Sequence, residues 1–153
     1  MSQIVNKQAV RNAIIDLYLE SGCEAHDKNA GAVNYTTLGL RGSPQRIGAV
    51  YGSRGGGASL WIKEDVFQQI KPELNPDEVR IEDVDLTRRG FQWAFHFDDP
   101  NDPIIELVVR TSIELGLVRW NKTLKRREDE KRRAEKRAIK EAEMAQRKRN
   151  PFA

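Results

Sequence analysis

From residue 28 to residue 63 the chain carries no carboxylate, yet it holds Lys28, Arg41, Arg46, Arg54 and Lys63. Five cations with no intervening anion favour a positive surface, and the chemistry open to such a surface is anion recognition, above all of phosphate. Eight of the eleven glycines fall in residues 29–59, where backbone N–H groups can approach an anion closely. Tyr35, Tyr51 and Trp61 are interleaved with these charges. Aromatic faces beside Arg are the elements on which single-stranded bases stack. The stretch SRGGGAS, residues 53–59, is not a P-loop, because the Lys and hydroxyl pair of that motif is missing. It reads more simply as a hairpin turn. Arg88, Arg89 and Gly90 form a second basic point, which extends the first if the two turns share an edge of the fold.

The third basic feature is the C-terminal tail. Residues 119–149 hold 14 Lys and Arg against six Asp and Glu, leaving 12 against 17 in the rest of the chain. The overall charge of +3 therefore describes neither part. Lys125, Arg126, Arg127, Lys131, Arg132, Arg133, Lys136, Arg137 and Lys140 are placed to meet phosphates over several helical turns, although the interspersed acids dilute their effect. The plain alternative is a solvated charged helix.

One cluster points instead to catalysis. Glu82, Asp83, Asp85, His96, Asp98 and Asp99 fall on two neighbouring strand-like segments, and carboxylates with one His can hold a divalent metal for phosphodiester cleavage. The acids from Asp98 to Asp102 read equally well as a loop and a helix cap. No His pair at metal-ligand spacing, Cys cluster or serine-nucleophile motif supports an active site, and no cofactor motif is present. Cys23 is the only cysteine, so an intramolecular disulfide is impossible, and His26 nearby does not by itself make it a nucleophile.

The elements that position these residues follow from periodicity. Val10, Ile14, Leu17 and Tyr18 recur at helical spacing, with Asn6 as a candidate N-cap and Gly22 just past the end. Strands are predicted over residues 33–40, 46–51 and 59–63, then a short helix over 64–70 that Pro72 and Pro76 end. Two more strands follow, over 79–86 and 91–97. In the second, Phe91, Trp93, Phe95 and Phe97 alternate with Gln92, Ala94 and His96, which places the aromatic face in the core and His96 on the other side. Asp102 before Pro103 starts a helix whose apolar residues run from Ile104 to Ile113.

The expected fold is α+β: a mostly antiparallel sheet of about five strands packed by two or three helices, with a long charged C-terminal helix. The expected division is a compact domain over residues 1–120 and a net-basic helical tail over 121–153. No apolar run fits a signal peptide or a membrane span, so the expected location is the cytoplasm. The leading functional expectation is a non-enzymatic nucleic-acid-binding or nucleoprotein-associated protein whose binding is sequence-independent and salt-sensitive. The alternatives are a protein-interaction module, an inhibitor or assembly factor docking through its acidic body or long helix, and a metal-dependent phosphodiesterase. A homo-oligomer through the helix is also open.

Overall fold

The computed structural model describes residues 3–30, 33–52, 57–86 and 90–149, with side chains described over 7–27, 35–52, 57–84 and 90–147. Helix α1 (Gln3–Glu20) is followed by strands β1 (Cys23–Ala30), β2 (Val33–Leu40), β3 (Arg46–Gly52) and β4 (Ala58–Ile62). Then come α2 (Glu64–Ile70), a short 3-10 turn (Lys71–Glu73), β5 (Arg80–Leu86), β6 (Phe91–Phe97) and α3 (Pro103–Arg149). The strands form one antiparallel sheet in the order β1-β2-β3-β4-β6-β5. The α+β class holds, with six strands where five are expected.

The extra strand is β1. Its sequence CEAHDKNA has neither alternation nor β-branched residues, and as an edge strand it needs a partner on one side only. Pairing with β2 from Cys23↔Leu40 to Ala30↔Val33 supplies that partner. Helix α1 also begins earlier than expected, at Gln3, so Asn6 lies inside it. Its end is as expected: Gly22 sits at φ +87°, and its N–H reaches the Leu19 carbonyl at 3.0 Å. Asp102 caps α3, its carboxylate accepting from the Ile104 N–H at 3.0 Å. Gly116 lies inside α3, and no break separates the apolar from the charged half.

Strand alternation assigns the two sheet faces. On one face Thr36, Leu38, Val50, Leu60, Ile62 and Phe95 are buried, and the contacts of α1 and α2 fall here. Arg11 of α1 donates to the Thr36 hydroxyl, which in turn donates to Asp27 at 2.7 Å. Phe67 of α2 packs on Trp93 and Phe95. Val10, Ile14 and Tyr18 are fully buried at i, i+4 and i+8, as are Ile105, Val108 and Val109 at the start of α3. A bulge at Leu38/Gly39 sets Arg46 opposite Gly39, which turns Ile47 inward and Arg46 to the other face.

Gly48 is required by close approach. A Cβ there would lie 2.7 Å from the Tyr18 hydroxyl oxygen and 3.2 Å from its Cζ. Tyr18 is fully buried and has no room to retreat. Burial raises its phenol well above the ordinary range, and its hydroxyl and that of Ser112 have no partner with hydrogen-bond geometry among the described residues. Gly48→Ala is expected to destabilise by about 2 kcal/mol. Tyr18→Phe, which removes an unsatisfied hydroxyl, should be close to neutral and should recover about 1 kcal/mol in the Gly48→Ala background. Urea unfolding of both single variants and the double variant measures this coupling, and strict additivity would contradict it.

Candidate nucleic-acid interface

The chain divides into two compact units, Met1–Leu117 and Val118–Ala153. In the first unit, the sheet face opposite α1 carries the polar and aromatic groups. Register lines them up in rows across the strands. One row runs Lys28, Tyr35, Tyr51, Ser59, His96 and Arg80; the next runs His26, Thr37, Ala49, Trp61, Ala94 and Glu82. Such rows exist because paired residues in an antiparallel sheet point to the same side.

The aromatic residues are brought together. Tyr35 and Tyr51 stack with ring centroids 4.7 Å apart, and Tyr51 and Trp61 stack at 4.2 Å. These spacings are close to the ~4.8 Å between neighbouring strands. The rings therefore stand upright, face to face along the sheet. Small residues make room: Ala49 is fully buried within this cluster, which also takes in Phe91. Both faces of Tyr51 are consequently occupied, so stacking a base on it would require the ladder to open. Tyr35 and Trp61 remain partly exposed.

The basic residues are brought together only in part. Arg46 opens β3 and Lys63 directly follows the neighbouring β4, at the same end of this face, where Gly90 also lies: a Cβ on Gly90 would be 3.4 Å from the Lys63 Nζ. Lys63 lies over the Phe91 ring at 5.8 Å. Arg41 follows β2 at that end and is 3.9 Å from Glu24, which the β1–β2 pairing brings beside it. The window is thus free of acids along the chain but not in space, because β1, a strand that the sequence pattern does not mark, pairs with β2. Arg54, Arg88 and Arg89 lie outside the described residues, as does the side chain of Lys28. Gly52 and Gly57, which flank Arg54 in the chain, lie at the opposite end of the sheet from Arg46 and Lys63.

The acidic cluster is dispersed into pairs. Glu82 contacts the His96 ring, Asp83 accepts from Gln92 at 2.6 Å, and Asp98 pairs with Arg80 at 2.6 Å. Asp99 caps the turn at Asn101. The side chain of Asp85 is outside the described residues. Among the described residues, no three His, Cys, Asp or Glu gather as a metal site. Cys23 is buried, and burial pushes its thiol above the ordinary value, which lowers the thiolate fraction a nucleophile needs. His26 faces Glu24 at 3.6 Å.

Residues 118–149 of the second unit are helical, and Lys122, Lys125, Arg126, Arg132, Arg133, Lys136, Arg137 and Lys140 are all exposed. At ~100° per residue, these eight fall on one side of the helix. Glu128, Glu135 and Glu141 fall on the other, with Arg127 and Lys131, and Glu130 sits at the boundary, about 20° from Arg137. Asp129 and Glu143 interrupt the basic side, and Asp129 pairs with Arg132 at 2.9 Å. Arg127 is used locally, its guanidinium lying 5.3 Å from the Trp120 ring centroid. Half of the acids that dilute the tail in sequence are segregated from its cations in the helix. The apolar Val118, Leu124, Ile139 and Met144 are exposed but share no common side, so they make no seam for another helix.

No known protein family, curated protein or solved structure matches the chain. Among the described residues, no helix is long and apolar enough to cross a membrane.

Proposed function

We propose that this protein binds single-stranded nucleic acid without sequence preference, holding the phosphate backbone on the basic side of the C-terminal helix. The observation that carries this reading is the segregation of eight exposed cations onto one side of residues 118–149. Phosphates repeat along a strand, and a row of cations at i, i+3, i+4 and i+7 offers a matching line of contacts at low desolvation cost. Arg46 and Lys63, beside the partly exposed aromatic ladder of the sheet, supply a second contact region.

Such binding is dominated by counterion release. Anisotropy of a labelled single-stranded oligonucleotide, titrated between 50 and 200 mM salt, is expected to show affinity falling by roughly 300-fold for about six contacts, at ~0.7 for each phosphate on a single strand. An affinity that ignores salt, or no binding at 50 mM, would refute the proposal. The rival reading, docking on a protein through the helix, lacks the shared apolar side that helix docking uses.

A further inference from the structure

Three residues from three adjacent strands meet on the open sheet face in an order that their sequence positions conceal. The Ser59 Oγ lies 2.6 Å from His96 Nδ1, and His96 Nε2 lies 3.2 Å from the Glu82 carboxylate. Ser59 and His96 are direct register partners on β4 and β6, and Glu82 reaches the same ring diagonally from β5. The proton positions follow from the partners. An ionised carboxylate only accepts, so in the neutral imidazole Nε2 carries the hydrogen and donates to Glu82. Nδ1 then presents its lone pair to the Ser59 hydroxyl. The order of groups matches the nucleophile, base and orienting acid of serine acyl-transfer sites, with the imidazole turned end for end relative to the usual arrangement.

We propose that Ser59 is an activated nucleophile, with His96 as its base and Glu82 as a positioning residue, acting on short carboxylic esters. The Ser59 Oγ forms a bond to the ester carbonyl carbon while its proton passes to His96 Nδ1. The carbonyl π pair moves onto oxygen. The imidazolium then returns that proton to the departing alkoxide oxygen as the carbon–oxygen bond breaks, leaving an acyl-Ser59 and free alcohol. Water repeats the sequence, with His96 taking its proton, and releases the acid.

Two features select the substrate. Ser59 is only 4 % exposed, between Tyr51 and His96 in its row, so a small, unbranched acyl group is what can reach it. The N–H groups of β4 are committed to ladders with β3 and β6, so the developing oxyanion must be met by a side chain. Arg80 is the cation directly across from His96, and Asp98 holds it at 2.6 Å. The proposal is independent of nucleic-acid binding, whose carrying observation is the basic side of the helix in the second unit.

The test is labelling of the full chain with a small alkyl fluorophosphonate, read by peptide mass spectrometry, together with p-nitrophenyl acetate turnover. Label on Ser59 is expected, lost in Ser59→Ala. Labelling should slow by about 100-fold in His96→Gln and about tenfold in Glu82→Gln. Circular dichroism verifies that each variant is folded. No label on Ser59 in the unaltered protein would overturn the proposal, as would equal labelling in folded His96→Gln.

Discussion

Gly57→Ala is expected to lower the stability of the folded chain by about 3–4 kcal/mol. Two independent effects add. Gly57 sits at φ +72°, in the left-handed region, where a side chain costs about 1–2 kcal/mol. Its Cβ would also fall 2.1 Å from the Phe97 carbonyl oxygen and 2.9 Å from an Asp98 carboxylate oxygen. The nearer atom is backbone in a paired strand and cannot rotate away, so β4 and β6 must separate locally, at a further cost of about 1–3 kcal/mol. Chemical denaturation should show an earlier midpoint with an unchanged slope. Gly22→Ala is the control, because it shares the positive φ at +87° but meets nothing within 4 Å, and it should cost only the conformational part. Equal losses at the two positions would mean that close packing at Gly57 contributes nothing. Because Gly57 leads into Ala58 and Ser59, the same change should also disturb the Ser59–His96 contact.

This requirement answers a question that the glycine-rich run leaves open in sequence. A run of three glycines reads more simply as a turn, yet it also suits a phosphate cradle. At Gly57 the reason is steric: the chain passes so close to β6 that no side chain fits. Composition cannot reveal that, since the obstructing atom belongs to Phe97, forty residues later. Where patterning is strong, sequence and structure agree closely. The alternation of Phe91, Trp93, Phe95 and Phe97 marks β6 to the residue, and Asp102-Pro103 marks the start of α3. Where an element draws its stability from a partner, the signal vanishes. Edge strand β1 has no β-branched or aromatic residue to mark it, so Glu24 is not seen to approach Arg41. Of the Ser59, His96 and Glu82 arrangement, the acid and the histidine are legible as neighbours on two successive strands, but Ser59 is not. It lies 37 residues before His96, and only the non-sequential β4–β6 pairing places the two side by side. The rows of Tyr35 and Tyr51 show the converse case: residue types suited to base stacking were legible, but their mutual stacking, which uses up the faces, depends on register.

The tail offers the sharpest discrimination between a specific surface and mere net charge. Arg126 and Arg133 lie on the basic side of the helix, whereas Arg127 and Lys131 lie on the other with the acids. Replacing either pair by Glu changes the net charge by the same amount. If phosphates run along the basic side, Arg126→Glu with Arg133→Glu should weaken single-strand binding by about 100-fold at low salt, or about 2.7 kcal/mol. Two lost contacts should also flatten the dependence of log affinity on log salt by about 1.4, at ~0.7 for each phosphate on a single strand. Arg127→Glu with Lys131→Glu should weaken binding less than about fivefold, through long-range charge alone, with the salt slope nearly unchanged. Losing Arg127 also removes its contact with Trp120, about 0.5–1 kcal/mol of local helix stability, which circular dichroism would register separately from binding. Equal effects from the two pairs would mean that the helix acts as a diffuse cloud of charge and that its sidedness has no part in recognition. Unequal effects in the expected direction would tie affinity to a particular line of side chains, because total charge is identical in the two variants and only its placement around the helix differs.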